Sequence, residues 1–489
     1  MNNADNNSLP LAESLLTGAV LLEVVGGKLI GKFELASLCF TSVVTDSRAV
    51  ASGSLFVPLI GEKQDGHRYI PQALENGASV VFVAQSAFAA DAALYALLAD
   101  AHASVAFVVV ANTLYALQAA AAAYVAKFPH LIRCAVTGSS GKTTTKEIAA
   151  SILRQKYNVV SNQGNLNSET GLPLSVFAIR AEHELGLFEM GMNRKNEIGE
   201  IAAVLKPNYG IVTNIGTAHI GMLGSREAIA TEKKKIFAYL DANGVAVIPA
   251  ADDFSEFLAE HVPGTIVRYG VEREVSAALG VQLIRDDGIE GTTFSVDGVT
   301  MHLALPGVYN YKNALGAIAL ARKLGVTPQQ IKAGIEAITA LNGRSQLHKG
   351  AYTILEDCYN ANPDSMEKAL ALCAEASISG KKFFVLGDML ELGDESKAAH
   401  EAVAQQTLAA KPDVVVLVGA EMAAAYKKML AAGFPQAMLM YEASADAAAI
   451  ARVATFVKSL AAKGDFILLK GSRGMALERL IPLLEETAA

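Results

Sequence analysis

The stretch that decides the fold is Ala135-Val136-Thr137-Gly138-Ser139-Ser140-Gly141-Lys142-Thr143-Thr144-Thr145-Lys146-Glu147. An apolar run ends at a glycine-rich turn and apolar residues at helical spacing follow, so the pattern predicts a strand, a tight loop and a helix. Such a loop can bind phosphate through its backbone N–H groups and the helix N-terminus, with Lys142 as a charge and the Thr143 hydroxyl as a Mg²⁺ ligand. The predicted phosphate-binding residues are Gly138, Ser139, Ser140, Gly141, Lys142, Thr143 and Thr144.

The spacing of this loop differs from the usual Walker A motif. That motif has a glycine five residues before the glycine that precedes its lysine, and the corresponding position here, counted back from Gly141, is Val136. The chain instead carries a shorter Gly-x-x-Gly-Lys-Thr variant. A plain glycine-rich turn between strand and helix is the alternative, and the Lys-Thr pair after Gly141 favours the phosphate site.

Length and composition bound the class of protein. At 489 residues the chain exceeds one ordinary core, and a prior of about 150 residues per domain predicts three domains. The net charge of −8 and the lack of a basic stripe argue against a nucleic-acid partner. The four cysteines show no Cys-x-x-Cys spacing, and Met1 to Pro10 lack a signal-peptide layout, so we expect a reducing, cytoplasmic location.

One uncharged stretch, Ala103 to Ala126, is long enough to be weighed as a membrane span. It divides more naturally into a strand from Ser104 to Val110, a polar break at Asn112-Thr113 suited to helix capping, and an alanine-rich helix from Leu114. We therefore predict no membrane insertion.

The pattern of strands and helices predicts an α/β protein of three domains. Residues 1–111 alternate short apolar runs with helical stretches, and 112–341 form a central P-loop ATPase domain with a mostly parallel sheet. Within it, Ser276 to Leu305 shows period-two patterns with turns at Asp286-Asp287-Gly288 and Asp297-Gly298, which predict a β-meander extension. Residues 342–489 are predicted to form a doubly wound, Rossmann-like domain.

Three residues in the central segment are candidates for a metal site. Glu189 ends an apolar strand one strand-helix unit after the phosphate loop, where P-loop enzymes need an acid near Mg²⁺. His219 follows the next strand, and a lone histidine there is more often structural. Lys233 lies in Glu232-Lys233-Lys234-Lys235, which in isolation indicates a solvated helix face.

Amides and acids in loops supply further candidates. Asn165 and Asn167 lie in the glycine-containing loop after Val160, where amides suit either a turn or recognition of a polar ligand. Asp357 ends a predicted strand of the third segment, and acids at such positions often bind ribose hydroxyls in α/β folds.

Taken together, these motifs resemble the Mur ligase family, the ATP-dependent amide-forming enzymes that build the peptide of peptidoglycan precursors. The resemblance spans nearly the whole chain. It rests on the short phosphate loop and on Thr45-Asp46-Ser47-Arg48, Gly164-Asn165-Leu166-Asn167, Leu305-Pro306-Gly307-Val308-Tyr309-Asn310-Tyr311-Lys312-Asn313-Ala314, Asp357-Cys358-Tyr359-Asn360-Ala361-Asn362-Pro363, Gly387-Asp388-Met389-Leu390-Glu391-Leu392-Gly393 and Lys470-Gly471-Ser472-Arg473.

The resemblance implies roles for individual residues. Glu189, His219 and a carbamylated Lys233 would hold Mg²⁺ together with Thr143, and Lys234 and Lys235 remain alternatives for the modified lysine. Contacts to ATP are implied for Asn313, Arg344 and Asp357. Contacts to substrate are implied for Ser47, Arg48, Asn165, Asn167, Tyr359, Asn360, Lys470 and Ser472.

The implied reaction joins D-alanyl-D-alanine to a UDP-N-acetylmuramoyl-tripeptide through an acyl phosphate, with ATP and Mg²⁺ as cofactors and a monomer as the expected state. Whether the tripeptide ends in meso-diaminopimelate or lysine stays open. Folylpolyglutamate synthase is the nearest rival, and the Gly164 and Gly387 motifs disfavour it. A nucleotide-dependent switch is a rival of another class, but no Asn-Lys-x-Asp signature is present.

Overall fold

The computed structural model describes residues 14–61, 64–339, 341 and 343–485. The polar start, Met1 to Pro10, and the predicted boundary residue Asn342 lie outside this part. The described residues divide into two compact units. The first holds the chain up to 133 with 160–190 and 197–206, and the second holds 134–159, 191–196 and 207 onward.

The first unit contains a five-stranded sheet that is parallel except at one edge. Its order is Lys28–Ile30, Ala106–Val110, Ala78–Ala84, Ser54–Phe56 and Ser42–Val44, with the first pair antiparallel. Apolar side chains of this sheet pack on Ile70 and Leu74 of a short helix. The helices of the unit are Gly18–Val25, Ile70–Glu75, Gln85–Ala90, Ala92–Ala101, Thr113–Ala126, Gly171–Val176 and Glu197–Leu205. Its remaining strands are Val159–Ser161 and Leu185–Glu189.

The uncharged stretch forms a strand and a helix, as predicted. The strand is Ala106–Val110 and the helix is Thr113–Ala126. The Asn112 side chain caps this helix by accepting hydrogen bonds from the backbone N–H groups of Leu114 and Tyr115. Within the described ranges, every helix is too short or too polar to cross a bilayer.

In the second unit, four strands run parallel in the order Ile132–Thr137, Tyr209–Val212, Val245–Pro249 and Thr265–Tyr269. Helix Lys142–Leu153 follows the first of them and packs on helix Val308–Lys323. The other helices before residue 342 are Ile220–Leu223, Arg226–Lys234, Ser255–Ala259, Arg273–Ala278 and Pro328–Glu336.

The β-meander is confirmed as a separate three-stranded antiparallel sheet. Its strands are Val281–Asp286, Thr292–Val296 and Val299–Leu303. The two predicted turns lie between these strands. Ser276, where the pattern was expected to begin, belongs instead to a helix.

The last segment is doubly wound, as predicted. Its sheet runs Gln346–Lys349, Thr353–Asp357, Phe466–Lys470, Lys382–Gly387, Val414–Val418 and Leu439–Glu442, antiparallel only at the first pair. Successive residues of a strand, such as Phe383 and Phe384, belong to two different apolar clusters, because neighbouring side chains of a strand point to opposite faces of the sheet. Helices cover both faces: Pro363–Glu375, Ser396–Ala409, Ala423–Ala431, Ala447–Leu460 and Leu480–Glu485.

Candidate active site

The phosphate loop has the backbone that its glycines allow. Gly138 has φ +151° and Gly141 has φ +78°, both in the region that disfavours other residues. A Cβ on Gly138 would lie 1.7 Å from Thr213 Oγ1, and one on Gly141 would lie 2.4 Å from Asn313 Oδ1. Helix Lys142–Leu153 begins directly after Gly141, so its first N–H groups face the loop.

Two lysines converge on this loop. The Lys142 ammonium donates to the Gly138 carbonyl oxygen at 2.9 Å, and the Lys233 ammonium donates to the same oxygen at 3.0 Å. Lys233 is only 1% exposed, so the solvated helix face indicated by its local sequence is wrong. Two cations at one loop give a site that suits a multiply charged anion such as a phosphate chain.

The loop after strand Tyr209–Val212 is tied to the phosphate loop. Thr213 Oγ1 and Asn214 Nδ2 both donate to the Ser140 carbonyl, at 2.6 and 2.9 Å. The Ser140 N–H donates to Asn214 Oδ1, and the Gly216 N–H donates to Ser139 Oγ. Neither Thr213 nor Asn214 was predicted as a site residue, although a polar pair at a strand end beside a phosphate loop is a usable signal.

This loop leads to His219, which lies in a left-handed conformation at φ +64°. Burial, together with the charges of Lys142 and Lys233, lowers the pKa of His219 to about 4. Its Nδ1 lies 3.5 Å from a carboxylate oxygen of Glu391, but that carboxylate is largely exposed and does not offset the burial. The imidazole is therefore neutral near pH 7, the form that can bind a metal ion.

Glu189 is described within the first compact unit. It is buried at the end of strand Leu185–Glu189, and its Oε1 accepts a hydrogen bond of 2.6 Å from Asn167 Nδ2. Asn162 exchanges two hydrogen bonds with the Glu189 backbone, whereas Asn165 is exposed. The asparagine-rich loop thus positions the acid, and the joint role of Glu189 with His219 and Lys233 stays a prediction.

The predicted residues of the last segment form one cluster at the carboxyl ends of its strands. The buried Lys470 ammonium donates to Asp357 Oδ2 at 2.7 Å and to the Asn360 carbonyl at 3.3 Å. The Arg344 guanidinium carbon lies 4.0 Å from the centre of the Tyr359 ring, a cation–π contact. Ser472 Oγ, also buried, accepts from the Leu390 N–H and so ties this cluster to the Gly387–Gly393 loop.

Asn313 of helix Val308–Lys323 lies against Gly141 of the phosphate loop. Its Nδ2 donates to Oδ1 of Asn310, one turn earlier in the same helix, at 3.2 Å. A cavity of about 540 Å³ opens beside the same helix and is lined by Tyr309, Ile289, Lys368 and Leu372. Lys368 also donates to Ser140 Oγ, so this cavity and the phosphate loop share a residue.

Two of the predicted substrate-binding residues, Ser47 and Arg48, lie in the first unit. Ser47 is buried and its hydroxyl donates to Gln72 Oε1 at 2.7 Å. Arg48 is exposed and pairs with Asp46 at 2.6 Å, which lowers the pKa of that carboxyl to about 2.

Comparisons with known proteins indicate the same family along most of the chain. Family models match at residues 40–125 (Mur ligase family, catalytic domain), 136–321 (Mur ligase middle domain) and 343–473 (Mur ligase, glutamate ligase domain). The UDP-N-acetylmuramoyl-tripeptide–D-alanyl-D-alanine ligase of Treponema pallidum is 41% identical over 91% of this chain and 94% of its own length.

Two solved structures share the whole architecture. A crystal structure of MurF from Acinetobacter baumannii has a TM-score of 0.81 at 29% identity and covers 98% of this chain and 100% of its own. MurF ligase from Thermotoga maritima in complex with ADP has a TM-score of 0.74 at 26% identity and covers 91% and 97%.

The parallel sheets and the phosphate loop with its two lysines, taken with these similarities, define an ATP-dependent ligase. More specifically, the chain belongs to the Mur ligase family.

Proposed function

We propose that this protein adds D-alanyl-D-alanine to UDP-N-acetylmuramoyl-tripeptide, with conversion of ATP to ADP and phosphate, in the synthesis of peptidoglycan precursors. The observation that carries the proposal is the convergence of Lys142 and Lys233 on the Gly138 carbonyl, in a chain 41% identical to a ligase named for that reaction. Such a cationic loop suits the phosphates that change charge during the reaction.

The chemistry takes two steps. A terminal carboxylate oxygen of the tripeptide attacks the γ-phosphorus of ATP, the bond to the β–γ bridging oxygen breaks, and ADP leaves. The amine of D-alanyl-D-alanine then attacks the acyl carbon, and the tetrahedral intermediate loses phosphate and a proton to give the amide. Catalysis comes from positioning and charge stabilisation, in which Lys142 neutralises the transferring phosphoryl group.

Residues of the phosphate loop from Gly138 to Thr144 hold the ATP phosphates. Asn313 contacts the adenine, and Arg344 and Asp357 contact the nucleotide from the last segment. The location of Asn313 against Gly141 and the fixed Asp357–Lys470 pair support these roles.

Thr143, Glu189, His219 and a carbamylated Lys233 would hold Mg²⁺, which draws charge from the phosphate oxygens when bound. Taken singly, two of these residues suit the role: Glu189 offers a buried carboxylate that accepts from Asn167, the kind of oxygen ligand that Mg²⁺ prefers, and the His219 imidazole is neutral near pH 7. Carbamylation gives Lys233 an anionic oxygen in place of its ammonium. Lys234 and Lys235 suit this role less: Lys233 donates to the phosphate loop, whereas the ammonium groups of Lys234 and Lys235 donate to residues outside that loop, to the Phe257 carbonyl and to Asn196 and Glu232 respectively.

Substrate contacts are divided along the chain. Ser47 and Arg48 bind the UDP group in a domain of residues 1–111, and the ATP site occupies 112–341. The segment 342–489 closes over ATP and binds the dipeptide. Contacts to the peptide substrates come from Asn165, Asn167, Tyr359, Asn360, Lys470 and Ser472.

The protein acts as a monomer in the cytoplasm. The four free cysteines, three of them buried, support a reducing compartment. Light scattering at micromolar concentration tests the oligomeric state, and a mass near twice 51.3 kDa would contradict it.

The function is tested by ADP and phosphate release from Mg-ATP and UDP-N-acetylmuramoyl-tripeptide, with and without D-alanyl-D-alanine. Release that needs both substrates, with a pentapeptide product by mass, is expected. Tripeptides ending in meso-diaminopimelate and in lysine are compared in parallel, which resolves the third residue. Release without the dipeptide, or none with either tripeptide, would overturn the assignment.

A further inference from the structure

One acid of the last segment reaches across to the phosphate site. Helix Pro363–Glu375 is capped by the Asn362 side chain, and Asp364 lies in its first turn. The Asp364 carboxylate reaches outside its own helix: Oδ2 accepts from the Thr217 N–H at 2.9 Å and lies 3.3 Å from the Thr217 hydroxyl. The two residues are 147 positions apart in the chain.

The backbone that Asp364 holds is the one that leads to His219. Its start is fixed by the bonds of Asn214 and Gly216 to Ser140 and Ser139 described above. Thr217 comes directly after Gly216 in the chain and precedes His219 by two residues. A hydrogen bond at Thr217 therefore fixes the backbone two residues before His219.

Gly216 shows how close this approach is. A Cβ at this position would lie 2.0 Å from Asp364 Oδ2 and 3.3 Å from Ser139 Cβ. Gly216 is not among the residues with positive φ, so its own backbone does not demand glycine. The lack of a side chain at Gly216 is explained by the carboxylate that it admits.

A second residue on the same face of this helix contacts the phosphate loop. Lys368, one turn after Asp364, donates to Ser140 Oγ at 3.3 Å. Residues four apart in a helix lie on one face. The helix thus presents the Asp364 carboxylate to the loop that contains His219 and the Lys368 ammonium group to the phosphate loop.

From this geometry we infer that Asp364 is a positioning residue. It orders Gly216 and Thr217, and through them His219, when helix Pro363–Glu375 docks on the phosphate site. The inference deepens the proposed function and rests on it only for the activity measurement. The competing explanation is that Asp364 merely stabilises the N-terminus of its own helix.

Hydrogen exchange separates these explanations without any turnover. With ADP present, exchange of a peptide covering 213–219 should accelerate in Asp364→Ala by about tenfold or more, because the Thr217 N–H loses its acceptor. Asp446→Ala is the matched control, since the Asp446 carboxylate caps helix Ala447–Leu460 by accepting from the Ala449 N–H and the nearby Ser444 hydroxyl. Unchanged exchange in Asp364→Ala would overturn the inference.

A double-mutant cycle supplies the second test. Asp364→Ala is expected to lower kcat by roughly ten- to hundredfold with a small change in the KM for ATP, and Asp364→Asn, which keeps one acceptor oxygen, should lie between it and the unchanged protein. Gly216→Ala should lower kcat similarly, because its methyl group displaces the same carboxylate.

The double variant Gly216→Ala/Asp364→Ala should be within about threefold of Asp364→Ala alone, since the overlap with the carboxylate is then gone and only the milder 3.3 Å approach to Ser139 Cβ remains. Multiplied effects of the two changes would overturn the contact. If no variant, nor the unchanged protein, ligates the substrates but the exchange result holds, the proposed function fails and the positioning role stands.

Discussion

The ammonium nitrogens of Lys142 and Lys233 lie 2.9 and 3.0 Å from one atom, the carbonyl oxygen of Gly138. Like charges so placed repel each other, and a low-dielectric site strengthens that repulsion. A bound phosphate chain, or conversion of one ammonium to an anionic carbamate, relieves it. The two lysines therefore have different predicted roles, and each can be removed separately.

Lys142→Ala should lower turnover by about 10²- to 10³-fold, because the transferring phosphoryl group loses its neutralising charge. Steady-state ADP release measures the change, and circular dichroism and the melting temperature should stay as in the unchanged protein. Lys463→Ala, at an exposed position, is the control and should keep full activity. Retained turnover in Lys142→Ala would remove the phosphate-loop assignment.

Lys233→Ala should be inactive and partly restored by millimolar formate, whose oxygens replace those of the carbamate. The structure supplies matched controls: Lys234 donates to the Phe257 carbonyl, and Lys235 pairs with Glu232. Lys234→Ala and Lys235→Ala should keep activity within a fewfold and show no response to formate. Rescue of either control instead would move the modified lysine to that position.

Much of the fold was predictable because its signals are local. The strand, glycine turn and helix around Gly141 were confirmed, as were the two turns of the β-meander and the cap at Asn112. Edge strands such as Gln346–Lys349 and Leu439–Glu442 were missed, since each has only four residues and is defined by a neighbouring strand rather than by its own pattern.

The site was less predictable where burial arises from distant segments. The local pattern at Lys233 indicates a solvated face, yet tertiary packing buries the side chain against the phosphate loop. Asp364 resembles an ordinary first-turn acid, and its partner Thr217 is 147 residues away. A contact between residues so far apart in the chain produces no local pattern from which a single sequence could predict it.

Removing the Lys470 ammonium should destabilise the last segment. Lys470 is 1% and Asp357 18% exposed at the side chain, so Lys470→Met leaves a largely buried carboxylate without its ion pair. We expect the free energy of unfolding to fall by about 2–3 kcal/mol, measured by urea denaturation. Lys349→Met, which breaks the exposed pair with Glu290, should cost less than about 1 kcal/mol. Equal losses in the two variants would contradict this difference in burial.

Thiol reactivity should distinguish Cys39 from the other three cysteines. Cys39 is exposed, whereas Cys134, Cys358 and Cys373 are buried. Burial raises the pKa of all three buried thiols, that of Cys373 to about 12, so they hold little reactive thiolate at pH 8. One thiol should react rapidly with a disulfide reagent in the native protein, and four after denaturation.

The same shifts set the sign of an alkaline effect on stability. A thiol whose pKa is raised by folding keeps its proton in the folded state while the unfolded chain loses it above about pH 8.5. The contribution to stability is thus fully present below that pH and should decline from about pH 9 upward. Urea denaturation between pH 8 and pH 10.5 measures it. Cys373→Ala should show a shallower decline than the unchanged protein, whereas Cys39→Ala should not, and identical slopes in both variants would refute the assignment to the buried thiol.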